Sequence, residues 1–192
     1  APDRPVHLVV ENECNNGRLL ADAGLAQWNG DFHHAVHVLL TGESGGYYAD
    51  YAQEPAKGLA RSLSGRFIRE RSGSTPDLPP TAFVDFLQNH DHVGNRAFGE
   101  RLISLAEPRA LAAAVALLLL SPSIPLIFFG EETGAREPFL YFCDHDDPAL
   151  AAAVREGRRA EFAKFPQFAD PARREEIPDP NAPTTFERSR PR

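Results

Sequence analysis

Four short apolar segments, each followed by polar residues, constrain the fold more than any other feature of the sequence. They occupy residues 6–10, 25–28, 83–88 and 124–129. Short apolar runs bounded by Asn, Gly or Pro are typical of buried β-strands. Because helical patterns follow the strands, the sequence predicts alternating strands and helices, and therefore an α/β fold with a parallel sheet.

Capping residues place the predicted helices. Asp31 is the expected N-cap of a helix that Thr41 and Gly42 end, and Asp147 with Pro148 begins another. The helices expected in this way span residues 32–40, about 55–68, 109–120 and 149–165. The third is apolar on nearly all sides, which predicts a helix wedged between the sheet and other helices.

The remaining segments have the composition of connections. Residues 43–57 are rich in Gly and Tyr and predict a loop. Residues 69–80 form a polar, Pro-containing connection of the length that is usually functional or mobile. After Pro166 the chain is rich in Pro and charged residues, which predicts a linker.

The polar clusters fall at the ends of the strands. In a βα barrel this end carries the active site, whereas a doubly wound sheet normally has a Gly-rich phosphate loop near its start. The sequence has no such loop, so a barrel is favoured. A closed barrel needs eight units and about 250 residues, and this chain supplies four units. We therefore predict half a barrel in residues 1–165, and in residues 166–192 a segment leading toward a further C-terminal domain.

Composition excludes several classes of partner. The formal net charge is −7, and no Lys/Arg cluster supplies the basic surface that nucleic acids or anionic membranes require. The longest apolar run, residues 110–120, is shorter than the roughly 18 residues of a membrane span. We expect a cytoplasmic protein acting on a neutral polar substrate, with Cys14 and Cys143 reduced. Met is absent, also at position 1, which predicts a piece of a longer chain.

The strand ends carry the candidate site residues. Asn89, His90 and Asp91 bring an amide, an imidazole and a carboxylate to the end of the third strand, and Glu11 follows the first. From the residues alone, Glu11 could be a loop ion-pair partner, and Asn89 could cap the turn or contact a ligand. Trp28 could stack on a sugar or belong to the core.

Three histidines raise a metal alternative. His33 and His37 share a helix face, but a zincin-type motif needs Glu directly after the first His, where His34 stands. The favoured interpretation is that they line the inner end of the helix, and neither a metal nor a cofactor is expected. Glu131 and Glu132 could bind hydroxyls at the rim, although a structural role is favoured.

Longer motifs resemble one family, from about Val6 to the end of the chain. The segments VVENECNN, WNGDFHHAVHVLLTGESGGYYADY, FLQNHDHVGNRAFGERL, LLLLSPSIPLIFFGEETGA and PFLYFCDHDDP are similar to the malto-oligosyltrehalose trehalohydrolases of the α-amylase superfamily. Gly30 and Thr133 depart from the family pattern, which more often has Asp and Trp there. The resemblance implies the C-terminal half, strands 5 to 8, of a (β/α)8 TIM barrel.

The resemblance also implies an activity and roles for site residues. The family hydrolyses the α-1,4 bond that joins trehalose to a malto-oligosaccharide, so a malto-oligosaccharide with a trehalose end is the implied substrate. Glu11 matches the general acid, Asp91 matches the carboxylate that orients substrate and stabilises the transition state, and His90 matches a sugar contact. The nucleophilic Asp after strand 4 has no counterpart, so the isolated chain is expected to be inactive. A malto-oligosyltrehalose synthase is the implied functional partner.

These residue types suit the chemistry of a retaining glycosidase. One carboxylic acid protonates the leaving oxygen while a carboxylate about 5–5.5 Å away traps the oxocarbenium-like centre. Glu11 is the group expected to remain protonated. The alternatives are another α-amylase relative, such as a glucan branching enzyme, or a catalytically incomplete fragment that at most binds sugar.

Overall fold

Four parallel strands form one sheet in the order of the sequence: β1 (Val9–Val10), β2 (Ala26–Trp28), β3 (Phe83–Phe86) and β4 (Ile124–Leu126). The computed structural model describes residues 4, 6–12, 14–64, 67–68 and 77–191. Val9 pairs with Ala26, Gln27 with Phe83, and Val84 with Ile124. The α/β prediction with a parallel sheet is confirmed, although each strand is shorter than predicted.

Helices connect the strands and follow the last one. They are α1 (Gly17–Ala23), α2 (Gly30–Thr41), α3 (Pro55–Leu63), α4 (His90–Gly94), α5 (Leu102–Leu105), α6 (Pro108–Leu120), α7 (Pro148–Phe162), α8 (Pro171–Glu175) and α9 (Pro183–Arg188). Short 3-10 helices span Gly46–Tyr51, Pro80–Ala82 and Pro166–Phe168. Among the described residues, no helix is long and apolar enough to cross a membrane.

The chain divides into two compact units. Unit 1 comprises Ala1–Leu87 and Leu105–Phe128 and contains the whole sheet, and unit 2 comprises Gln88–Ser104 and Phe129–Arg192. In unit 1, one apolar cluster joins Leu20 of α1, Phe67, Ala82 and Phe83 of β3. The rings of Phe67 and Phe83 meet edge to face with centroids 5.3 Å apart, so this cluster packs α1 against β3.

Unit 2 has its own apolar cluster. Ala97, Phe162, Phe168 and Ile177 are buried together. Two of these residues follow Pro166, so residues 166–191 are not a plain linker. The segment contains few apolar residues, but Phe168 and Ile177 are placed where both reach the core of unit 2.

Several sequence predictions of helix ends differ from the structure. Asn29, and not Asp31, is the N-cap of α2, because the Asn29 side chain accepts a hydrogen bond from Phe32 N. Gly42 ends α2 as predicted, in a left-handed conformation with φ 71°. Asp147 caps α7 as predicted by accepting from Ala149 N. The helix predicted for residues 55–68 ends at Leu63.

Other corrections concern the connections. The predicted loop 43–57 contains the 3-10 helix Gly46–Tyr51, and the predicted turn at Asn89–Asp91 begins helix α4. Helix α6 is not enclosed on all sides in the described structure, since Leu119 and Leu120 are 49% and 84% exposed. Residues 69–76 of the predicted polar connection lie outside the described residues.

Replacing Gly99 by Ala should destabilise the protein by about 2–4 kcal/mol. Gly99 has φ +63°, and a Cβ there would overlap the backbone carbonyl of Phe139. The matched control is Gly134→Ala, with φ +67° but with the nearest neighbouring atom, Ile103 Cδ1, at 3.6 Å. That variant should lose about 1–2 kcal/mol, the conformational part alone. Urea unfolding measures both, and equal losses would contradict the close-approach explanation.

Candidate functional site

Glu11 directly follows β1 and is exposed. The described residues that follow, Asn12, Cys14 and Asn15, belong to a turn: Asn15 N donates to the carbonyl of Asn12 at 3.1 Å, and Cys14 N donates to the Asn12 side chain at 3.2 Å. Asn15 adopts φ 51°, a left-handed conformation that Asn tolerates better than most residues. Two hydrogen bonds therefore tie residues 14 and 15 back to Asn12.

Side chains from β2 and α2 hold this turn. Gln27 Nε2 donates to the carbonyl of Asn12 at 3.2 Å and to Asn15 Oδ1 at 2.8 Å. Asn15 Nδ2 in turn donates to Asp31 Oδ2 at 3.1 Å. Gln27 and Asp31 are 1% and 3% exposed, so the two bonds that Asn15 makes with them lie away from solvent.

Asp31 is a buried carboxylate in the first turn of α2. It accepts hydrogen bonds from the Tyr51 hydroxyl at 2.6 Å, from Asn15 and from the backbone N–H of Ile68. These donors come from three separate segments of unit 1. A buried carboxylate needs several such donors because burial without them would be costly.

In unit 2, Asn89 is the N-cap of α4. It is 2% exposed, and its Oδ1 accepts from His92 N at 3.0 Å and from His92 Nδ1 at 2.6 Å. Of the two interpretations of Asn89, the structure therefore supplies the capping role. His90 Nε2 lies 3.4 Å from Asp91 Oδ1, and both side chains are about half exposed. Asn89, His90 and Asp91 are thus brought together at the start of α4.

Gln88 directly precedes these three residues and is held by two hydrogen bonds. Its Nε2 donates to Glu131 Oε1 at 2.9 Å and its Oε1 accepts from Leu102 N at 3.0 Å. Nearby in unit 2, Arg101 is 1% exposed and donates to the carbonyls of Glu137 and Phe129. Burial lowers the pKa of Arg101, and the negative charge of Glu131 opposes that shift. The hydrogen bond from Gln88 agrees with the structural role favoured for Glu131, which stays a prediction.

The histidines of α2 are engaged by protein groups. His33 Nδ1 lies 2.6 Å from the carbonyl of Leu87, and His37 Nε2 lies 2.7 Å from Glu43 Oε2. His37 stacks on Tyr48 with centroids 4.0 Å apart, and His33 and His37 are both buried. These contacts agree with histidines that line the inner side of the helix.

Trp28, Tyr47 and Tyr48 differ in how far their side chains are exposed. Trp28, at the end of β2, is partly buried and meets Phe86 edge to face with centroids 5.8 Å apart. Tyr48 packs on His37, whereas Tyr47 is 71% exposed. Trp28 therefore contributes to packing within unit 1, and its contact with a sugar remains a prediction.

Asp85 is a buried carboxylate in the middle of β3. It accepts hydrogen bonds from Asn29 Nδ2 at 2.7 Å and from the Ser123 hydroxyl at 2.5 Å, and Asn29 Nδ2 also donates to Ser62. Burial raises the pKa of Asp85, although its two hydrogen bonds oppose the shift. Asp85 thus links β3 to the N-cap of α2 and to the segment before β4.

The sequence matches named relatives over only part of each relative's length. No family model matches the sequence. The malto-oligosyltrehalose trehalohydrolase of Arthrobacter ramosus is 42% identical over 97% of this chain and 34% of the relative. That of Saccharolobus solfataricus is 48% identical over 71% of this chain and 26% of the relative. The resemblance to the malto-oligosyltrehalose trehalohydrolases is confirmed. The chain spans about a third of the length of such trehalohydrolases.

A solved structure agrees with the fold. A crystal structure of a protein from Salmonella typhimurium, described as an α-amylase, matches 99% of this chain and 34% of its own with 46% identity and a TM-score of 0.83. This similarity and the parallel sheet in sequence order fit a fragment of a TIM barrel. The similarity to the trehalohydrolases supports a fragment of a glycoside hydrolase.

Sequence reasoning missed the residues that support the site. Gln27, Asn15 and Asp85 stand in ordinary strand or loop patterns, so their residue types alone give no signal. A polar residue inside an apolar strand is the sequence signal for such a supporting residue. Gln27 and Asp85 both show it, and both are buried.

Replacing Asn89 by Ala should lower the free energy of unfolding by about 1–2 kcal/mol, because α4 loses its capping oxygen. Asn89→Ser retains a capping oxygen and should lose less. Chemical denaturation of both variants measures the difference. Equal destabilisation by Ser and Ala would contradict the capping role.

Replacing Asp85 by Asn should stabilise the protein near neutral pH. The raised pKa of Asp85 means that its contribution to stability is complete below its unfolded pKa, about 4, and is lost as pH rises through its folded pKa. Asn cannot ionise and can still bond both partners, so its advantage should vanish as pH falls toward about 4. Urea unfolding from about pH 4 to 8 tests this, with Asp22→Asn, at an exposed position of α1, as the control. A constant difference across that range would contradict the assignment.

Proposed function

We propose that the complete gene product carrying this sequence is a glycoside hydrolase that releases trehalose from malto-oligosyltrehalose. The supporting observation is the 38–42% identity, over 96–97% of the chain, to curated proteins named malto-oligosyltrehalose trehalohydrolase. The substrate is a malto-oligosaccharide with a trehalose end, and the bond cleaved is the adjoining α-1,4-glucosidic bond.

In this proposal Glu11 is the general acid. Its carboxyl proton passes to the glycosidic oxygen while the bond from that oxygen to the anomeric carbon breaks and trehalose leaves. A carboxylate bonds to the anomeric carbon, and water then cleaves that intermediate with Glu11 accepting a proton. The position of Glu11 directly after β1 and next to a hydrogen-bonded turn supports this role.

Asp91 is the second catalytic carboxylate. It orients the substrate and stabilises the positive charge of the transition state, and His90 beside it contacts sugar hydroxyls. The pairing of His90 with Asp91, and the capping of α4 by Asn89, support a preformed arrangement of these groups. Asn89 and Trp28 are the further proposed substrate contacts.

The fold assignment belongs to the same proposal. We assign β1 to β4 to strands 5 to 8 of a (β/α)8 barrel, and residues 166–192 to the segment that leads toward a further domain. The nucleophilic Asp would then follow strand 4, outside these 192 residues, so the isolated chain would be inactive. The proposed location is the cytoplasm, the proposed functional partner is a malto-oligosyltrehalose synthase, and no membrane or nucleic acid takes part.

A second candidate activity comes from the structural relative that is described as an α-amylase. The products separate the two activities, because an amylase releases malto-oligosaccharides from glucans without a trehalose end. A glucan branching enzyme would instead form branched glucan.

Replacing Glu11 by Gln should lower the turnover of malto-oligosyltrehalose by about 10²-fold or more, because the amide cannot supply the proton. The fold should persist, since Glu11 is exposed. The control is Glu54→Gln, an exposed residue paired with Lys57 at the start of α3, and its activity should equal that of the wild type. Trehalose release by the complete gene product is the measurement, and full activity of the Glu11 variant would refute the proposal.

A further inference from the structure

The turn after Glu11 is tied to the sheet and to α2 by a relay of three side chains. Gln27 on β2 donates to the Asn12 carbonyl and to Asn15, and Asn15 donates to Asp31 on α2. Asn12 is the residue next to Glu11. The backbone next to Glu11 is therefore bonded directly by β2. Through Asn15 it is also connected to α2, the helix that follows β2.

Gln27 makes two of these hydrogen bonds, and its burial also carries a cost. Gln27 is 1% exposed, and its Oε1 has no hydrogen-bond partner within the described part of the chain. A buried polar atom left unpaired costs about 1–3 kcal/mol. An apolar side chain of the same length would avoid that cost, but it would take a donor away from the Asn12 carbonyl and from Asn15 Oδ1. Residues that lower stability in this way are typical of functional sites.

Asn15 carries a second cost. Its backbone is left-handed, with φ 51°, where glycine would be the unstrained choice. Glycine would have neither the amide oxygen that accepts from Gln27 nor the amide nitrogen that donates to Asp31. The side chain of Asn15 thus accounts for a non-glycine residue at this position.

We propose that Gln27, Asn15 and Asp31 are positioning residues that hold the turn after Glu11, and thereby orient the Glu11 carboxyl group toward the oxygen of the leaving sugar. The inference rests on the proposed role of Glu11 as general acid. It adds a supporting set that acts through the backbone of Asn12 and that touches no substrate.

The test compares two substrates that differ in their need for a proton. Malto-oligosyltrehalose loses trehalose, whose leaving oxygen must be protonated, whereas α-maltosyl fluoride loses fluoride, which needs little protonation. The ratio kcat/KM reports the first irreversible step, in which that proton is used. A misplaced general acid therefore lowers kcat/KM for the first substrate and spares the second, while a loss of folded protein lowers both equally.

The first variant is Gln27→Met, which keeps the length of the side chain and removes both donated bonds. In the complete gene product, kcat/KM for malto-oligosyltrehalose should fall about tenfold or more, and that for α-maltosyl fluoride should stay within about twofold. The melting temperature should fall, because the Asn12 carbonyl and Asn15 Oδ1 lose a donor, and the comparison of the two substrates separates this loss of stability from a misplaced acid. Ser62→Ala is the matched control, because it removes a buried hydrogen bond of unit 1 outside the relay. It should leave kcat/KM unchanged for both substrates.

An exchange at Asn15 and Asp31 gives a second, independent test. Asp tolerates the left-handed backbone of residue 15 about as well as Asn does, but Asn15→Asp places two carboxylates against each other. This variant should therefore lose kcat/KM for malto-oligosyltrehalose and keep it for α-maltosyl fluoride. In the double variant Asn15→Asp/Asp31→Asn, an amide again donates to a carboxylate across the same pair. The double variant should regain part of the lost kcat/KM for malto-oligosyltrehalose, and not all of it, because Ile68 N loses its acceptor.

Each result supports or overturns the positioning role of the three residues. Selective loss in Gln27→Met or Asn15→Asp, with recovery in the double variant, supports the proposal. Equal loss on both substrates in folded variants, or no loss on either, overturns it while the assigned function stands. If Glu11→Gln itself keeps full activity on malto-oligosyltrehalose, the role of Glu11 fails, and the positioning role fails with it.

Discussion

The buried carboxylate of Asp31 is the constraint on which much of unit 1 depends. A charge in this position must be surrounded by hydrogen-bond donors, and the donors come from the turn after β1, the 3-10 helix Gly46–Tyr51 and the segment at Ile68. The first turn of α2 is therefore bonded to all three segments. The turn next to Glu11 is thus arranged by the same contacts that complete the fold.

Much of the fold could be predicted because it depends on local patterns. The apolar segments predicted all four strands, and Gly42 and Asp147 marked helix ends correctly. The N-cap of α2 was misplaced because Asp31 and Asn29 are both good capping residues. Asn29 caps the helix, since Asp85 and Ser62 accept from its amide while Asp31 is drawn to donors of other segments.

The site was predictable only in part. The resemblance picked out Glu11 and Asp91, whose residue types carry the chemistry. The residues that hold the two sites in place, Gln27 in unit 1 and Gln88 in unit 2, act through contacts between segments far apart in the sequence. No local pattern encodes such contacts, so tertiary structure was needed to find them. Gln27 lies in β2 and bonds the turn after Glu11, and Gln88 lies just after β3 and bonds Glu131 and Leu102.

The most direct measurement of the proposed activity is the product released by the complete gene product from malto-oligosyltrehalose. Chromatography should show trehalose and malto-oligosaccharide in equal amounts from the first turnovers, because a single bond next to the trehalose end is cleaved. Release of glucose or maltose without trehalose, or formation of branched glucan, would contradict the proposed function.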